Sequence, residues 1–145
     1  MQRLINKRVY FDVNLFIYAL EPTDDMQAYF ATVEKLFAMS VSKQIIAITS
    51  ELTLAEALVG AYQNNPPLVE LYEGLISNRD DLVVYPITRQ ILKSAAFLRS
   101  QQKTALADAI HIATALSHQA DFLISQDKRL QTSESLQKLT LDSLL

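Results

Sequence analysis

At 145 residues, half of them hydrophobic and one fifth charged, the chain has the composition of an ordinary globular domain with room for a real core. It has no Cys and only two Gly, which excludes disulfide frameworks, thiol nucleophiles, zinc–cysteine centres and glycine-rich phosphate loops. The net charge of −3 argues against non-specific electrostatic attachment to DNA, although a cluster of metal-binding acids would itself shift the balance this way. The N-terminal MQRLINKRVYF lacks an apolar stretch of the signal-peptide kind. No run approaches the ~18 apolar residues of a membrane span, so a cytoplasmic chain is expected.

Taken in order, residues 9–11 (VYF) read as a buried strand, followed by Asp12 and an apolar run to Leu20 that Asp12 would cap as a helix. Residues 24–40 carry a helical pattern. Strand-like IIAIT covers 45–49, and a helix follows over 53–64. Asn65-Pro66-Pro67 breaks the chain before an amphipathic segment at 68–77. A strand at 82–86, helices over 88–102 and 105–119, a strand at 122–125 and a weaker one within 136–141 complete the pattern. Alternating strands and helices predict a parallel sheet covered on both faces. No repeat or linker interrupts it, so one domain spanning 1–145 is expected.

In open parallel sheets, sites form at the carboxyl ends of strands. Asp12 closes the first strand, Glu56 follows the second, Asp108 opens the nearly apolar TALADAIHIATAL, and Asp127 follows the fourth strand. Each acid alone has an ordinary reading. Asp12 is a helix cap, Glu56 completes a capping box with Thr53, Asp108 favours a helix dipole with Thr104 as cap, and Asp127 opens a turn. Four acids at the ends of one sheet are harder to explain that way. Carboxylates forced together repel unless a cation neutralises them, and hard oxygen donors suit Mg²⁺ or Mn²⁺. His111, one helical turn after Asp108, reads as a hydrogen-bonded core residue in preference to a ligand, and His118 as a helix-end residue.

The segments VYFDVNLFIYAL, ITSELTLAEAL, LADAIHIATAL and ADFLISQDKRL resemble, in order and over nearly the whole chain, the PIN domain family, and in size its VapC-type toxins. The family's four acids match Asp12, Glu56, Asp108 and Asp127, with Asn14 and Ser125 at its accompanying polar positions. Gln126, Leu130 and His111 depart from the usual residues, but no acid is lost. The resemblance implies a three-layer α/β/α sandwich with a central parallel sheet. It implies a metal-dependent ribonuclease whose four acids hold one or two Mg²⁺ or Mn²⁺ ions, with Asn14 and Ser125 orienting them. A small antitoxin partner and a homodimer follow from the same resemblance.

A haloacid-dehalogenase-like phosphatase needs a second Asp where Asn14 stands, and a receiver domain needs an acidic pair that Asp12 lacks. A silent PIN fold serving as an RNA-binding or scaffold module would be free to lose acids, and all four are kept. A PIN nuclease of RNA processing that is not a toxin stays open. For RNA binding, Arg89, Lys93, Arg99 and Lys103 share one arc if their helix continues to Lys103, and Lys128 and Arg129 follow Asp127. Lys103, Lys128 and Arg129 are the expected phosphate contacts. Tyr62, Leu68, Leu71, Tyr72 and Leu75, around the Pro66-Pro67 break, offer an apolar surface for a partner or second copy, although for each residue singly packing within the domain is the commoner role.

Overall fold

The computed structural model describes residues 1–133 and 135–145. Five parallel strands form one sheet in the order β3-β2-β1-β4-β5: β1 (Arg8–Phe11), β2 (Ile46–Ser50), β3 (Val83–Tyr85), β4 (Phe122–Ile124) and β5 (Gln137–Leu139). β1 is central, so its carboxyl end lies in the middle of one sheet edge. Strand alternation divides the core. Val9, Phe11, Ala47 and Ile124 pack on one face against α1 (Val13–Leu20), α2 (Gln27–Val41), α3 (Glu51–Asn64) and α4 (Leu68–Leu75). Tyr10, Ile48 and Leu123 turn to the other face, which α5 (Arg89–Gln101) and α6 (Leu106–Ser117) cover. This is the expected three-layer α/β/α sandwich with a parallel sheet. No described helix is long and apolar enough to cross a membrane.

The β1–α1 junction is held firmly. Phe11, Phe16 and Phe37 meet edge-on or tilted at centroid distances of 5.4–6.2 Å, a geometry that adds about 0.5–1.5 kcal/mol per pair beyond area burial. The Asp12 carboxylate accepts the Val13 N–H at 2.8 Å and caps α1 as expected, worth about 1 kcal/mol.

Element limits differ from the sequence reading in ways that matter for the site. α3 starts at Glu51, not at residue 53, so the Thr53–Glu56 capping box does not form. Thr53 is instead buried, its hydroxyl 2.8 Å from that of Thr49. A short 3-10 turn (Asp24–Met26) precedes α2. α5 ends at Gln101 because Gln102 is extended, so Lys103 leaves the helix and its arc. α6 begins after Ala105, and Thr104 gives no cap. Of the residues around the Pro66-Pro67 break, Tyr72 packs within the domain, fully buried and donating its hydroxyl hydrogen to Glu21, whereas Tyr62 and Leu71 are exposed.

Candidate functional site

Asp12 is 5% exposed, set between the end of β1 and the start of α1. Its backbone N–H donates to the Ile124 carbonyl, which aligns it with the end of β4. Ser125, the next residue along, is fully buried. Its hydroxyl donates to Asp12 Oδ2 at 2.5 Å and accepts the Asp127 N–H at 3.1 Å. One side chain thus ties the first acid to the last. Asn14 Oδ1 accepts the Gln126 N–H at 3.3 Å, and Gln126 Oε1 in turn accepts the Leu141 N–H at 2.5 Å. The loop after β4 is therefore fixed on both sides.

Asp127 accepts the Arg129 N–H at 2.9 Å, and the Arg129 guanidinium lies 3.4 Å away. The backbone bond first, then the guanidinium, holds the Asp127 carboxyl below the usual range despite partial burial. Asp127 thus opens a turn, as one of its two readings had it, and the Ser125 hydroxyl links that turn to Asp12. Asp108 is half-buried in the first turn of α6, and Ala109, Ile110, Ile112 and Ala113 around it are buried. Burial raises its pKa, and the charges of Asp127, Asp12 and Glu56 raise it further. The other three acids therefore all act electrostatically on Asp108, and the four come from separate segments of the chain.

Glu56, on α3, is the acid whose surroundings the sequence did not reveal. Its Oε1 lies 2.6 Å from His111 Nε2 on α6, and the same nitrogen is 3.7 Å from Asp12 Oδ1. His111 is 1% exposed. Its other ring nitrogen, Nδ1, meets the Tyr10 hydroxyl at 2.7 Å, and Tyr10 meets the Ser50 hydroxyl at 2.8 Å. Burial works against charge on His111, but the Glu56 bond and the charges of Asp12, Glu56 and Asp108 outweigh it and raise its pKa. The expected core histidine is real, yet it points at two of the acids. Oxygen or nitrogen atoms of Asp12, Glu56 and His111 lie within 4.8 Å of one another, on the scale of one coordination sphere. Spacing alone, His111 at Asp108 plus three, was the sequence signal for this placement.

Of the expected phosphate contacts, Lys103 and Arg129 line an open cavity of about 420 Å³ together with Arg99, Thr104, Ala105 and Asp108. Lys128 does not line it. Arg99 Nη1 donates to the Thr104 carbonyl at 3.2 Å, and the Thr104 hydroxyl is buried with no hydrogen-bond partner among the described residues.

Three solved structures share this architecture. A toxin–antitoxin complex from Klebsiella pneumoniae aligns at a TM-score of 0.65 and 20% identity, covering 88% of this chain and 94% of that one. VapBC2 from Rickettsia felis, bound to a DNA fragment from its promoter, gives 0.66 and 15%, covering 92% and 98%. Mycobacterium tuberculosis VapC20, a sarcin–ricin loop cleaving toxin, gives 0.64 and 15%, covering 82% and 91%. No curated protein matches the sequence. The PIN domain family model matches residues 9–133, and with four acids gathered at the carboxyl edge of a five-stranded parallel sheet, the chain belongs to the PIN domain family.

Proposed function

We propose that the chain, as a single nuclease unit over 1–145, is a Mg²⁺- or Mn²⁺-dependent ribonuclease that acts in the cytoplasm as the toxin of a toxin–antitoxin pair. The observation that carries this reading is the convergence of Asp12, Glu56 and His111 within 4.8 Å of one another beside the half-buried Asp108, whose carboxyl is pushed up by burial and by the charges of the other acids. Such a group of carboxylates asks for a cation, and its hard oxygen donors suit Mg²⁺ or Mn²⁺. The donor set therefore fits the ion. Asp12 and Asp108 would hold it, with Glu56 and Asp127 completing the set. When bound, a divalent ion lowers the pKa of water and stabilises the charge that builds on a phosphodiester undergoing hydrolysis. The chain's own residues supply the rest. Ser125 keeps Asp12 and Asp127 in register, Asn14 braces the loop that carries Asp127, and Arg99, Lys103 and Arg129 offer donors to RNA phosphates beside Asp108. Support for the toxin role comes from the neighbours, which include toxin–antitoxin complexes. An antitoxin partner and a homodimer belong to the same proposal, and the exposed Val59, Tyr62 and Leu71 offer apolar contact area.

The purified protein should cut single-stranded RNA with Mn²⁺ or Mg²⁺ and lose the activity in EDTA. Asp12→Asn and Asp108→Asn should each reduce cleavage by about a hundredfold or more. Full activity in both variants discards the site. Expression without a partner should arrest bacterial growth, and Asp12→Asn should relieve the arrest. Harmless expression of an active nuclease would point to RNA maturation or decay instead.

A further inference from the structure

We infer that His111 is a positioning residue for the metal site, holding the Glu56 carboxylate in place through a buried relay that runs back to Tyr10 and Ser50. The inference rests on the metal-dependent reading above. Among the described residues, Glu56 rests on a single partner, unlike Asp12 and Asp127. Asp12 is capped, buried and bonded to Ser125, and Asp127 is fixed by Arg129 and by the Ser125 hydroxyl. Glu56 projects from a helix, a third of its side chain exposed, and its one hydrogen-bond partner among the described residues is His111. A glutamate has three side-chain rotors and spends most orientations in water unless something holds it.

His111 is built to do that. Its ring is sealed under α6 and engaged at both nitrogens, Nε2 by Glu56 at 2.6 Å and Nδ1 by Tyr10 at 2.7 Å. The contact with Tyr10 is edge-on, with ring centroids 5.7 Å apart. Tyr10 is itself fully buried on β1, and its hydroxyl is fixed 2.8 Å from Ser50 on β2. Whichever ring nitrogen carries the proton, the imidazole cannot rotate without losing both bonds. The relay links the two strands that flank the site to the helix that carries Asp108. A carboxylate held this way meets an arriving ion already oriented, which is the role that partners behind a metal's own donors play. Losing such a partner typically costs about 10–100-fold in metal affinity.

The test uses Mn²⁺ as the probe, with affinity measured by calorimetry and with the Mn²⁺ concentration that half-activates RNA cleavage. His111→Leu should weaken both about tenfold or more, while saturating Mn²⁺ recovers most of the cleavage rate. His111→Gln, which can still donate to Glu56, should recover most of the affinity. Tyr10→Phe, which keeps the ring and removes the hydroxyl, should weaken it by a smaller factor, and it decides the matter if His111→Leu does not fold. A general loss of structure would lower the active fraction without moving the half-activating concentration. Wild-type Mn²⁺ affinity in both His111→Leu and Tyr10→Phe overturns the inference and leaves the metal reading standing. An imidazole nitrogen coupling in pulsed EPR of the Mn²⁺ complex also overturns it, because His111 would then be a ligand. Wild-type protein that binds no Mn²⁺ overturns the metal reading and this inference with it.

Discussion

Ser125 joins two acids through a single hydroxyl, donating to Asp12 Oδ2 and accepting the Asp127 N–H. Ser125→Ala leaves a buried carboxylate oxygen short of its donor, which should cost about 1–3 kcal/mol of stability. It should also loosen both acids and cut metal affinity about tenfold. Urea unfolding and Mn²⁺ titration check the two effects, and an unchanged affinity would mean that the acids hold themselves in place. The titrating residues give a pH signature in the metal-free protein. His111 has a raised folded pKa, so its contribution is complete below about pH 6.5 and is lost as pH rises through the raised value. Asp108 is also raised, and its contribution is lost in a lower window, from about pH 4 upward. Asp127 is lowered, so its contribution is present above about pH 4 and lost on acidification. Near neutrality His118 works against His111, since burial and the Arg8 charge lower the His118 pKa. In a His118→Gln background the metal-free chain should be less stable at about pH 8.5 than at about pH 6. His111→Gln should flatten that difference. Equal urea midpoints at the two pH values in that background would rule out a charged His111–Glu56 pair. The four acids were legible because each sits where a strand end meets a helix start. The partnership of His111 was not, since it depends on how α6 rotates over Tyr10 and on how far Glu56 reaches across from α3.

The helices carry two kinds of local misfit between residue and backbone, and both make predictions. Gly60 lies inside α3 and Gly74 inside α4, and among the described residues nothing beyond the helix's own backbone and the neighbouring residues comes within 4 Å of where a Cβ would sit on either. Glycine in a helix interior costs about 1 kcal/mol relative to alanine. Gly60→Ala should therefore raise stability by about 0.5–1 kcal/mol, and the melting temperature by about 2–4 °C. A lower melting temperature would mean that this stretch of α3 needs the flexibility. The converse misfit is at helix ends. Lys43 and Gln119 have left-handed φ values of 66° and 59°, where glycine is the usual occupant. Each closes its helix by a long return bond, Gln44 N–H to the Met39 carbonyl at 2.8 Å and Ala120 N–H to the Ala115 carbonyl at 2.9 Å. Strand and helix order was readable from hydrophobic period alone, down to the weak fifth strand. Helix ends were less so, because the residues that close α2 and α6 are not the ones that normally mark such turns. The start of α3 was misplaced for a related reason: Thr53 looks like a cap but spends its hydroxyl on Thr49, inside the core.

At the scale of the whole molecule, the proposed ribonuclease activity would require a chain of net charge −3 to hold a polyanion beside four carboxylates. Its cations must therefore act locally, through contacts that position the RNA backbone without reading bases. The arc expected along the helix at 88–102 is broken by the end of α5 at Gln101, but the fold brings its last members back together by another route. Arg99, near the end of α5, Lys103, in the link to α6, and Arg129, after Asp127, line one cavity next to Asp108. Lys128 lies outside it, and Arg89 and Lys93 lie a turn or more back along α5. If RNA phosphates occupy that cavity, each cation releases bound counterions, and each contact adds about 0.7 to the slope of log affinity against log salt for a single strand. In an Asp12→Asn background, where cleavage is suppressed, the combined change of Arg99, Lys103 and Arg129 to Ala should weaken RNA binding. The slope should become shallower by about 2. Lys128→Ala in the same background should leave it unchanged. Fluorescence anisotropy with a labelled single strand at a series of salt concentrations measures both. A slope that responds to Lys128 and not to the three cavity residues would route the RNA over the other side of the turn that carries Asp127.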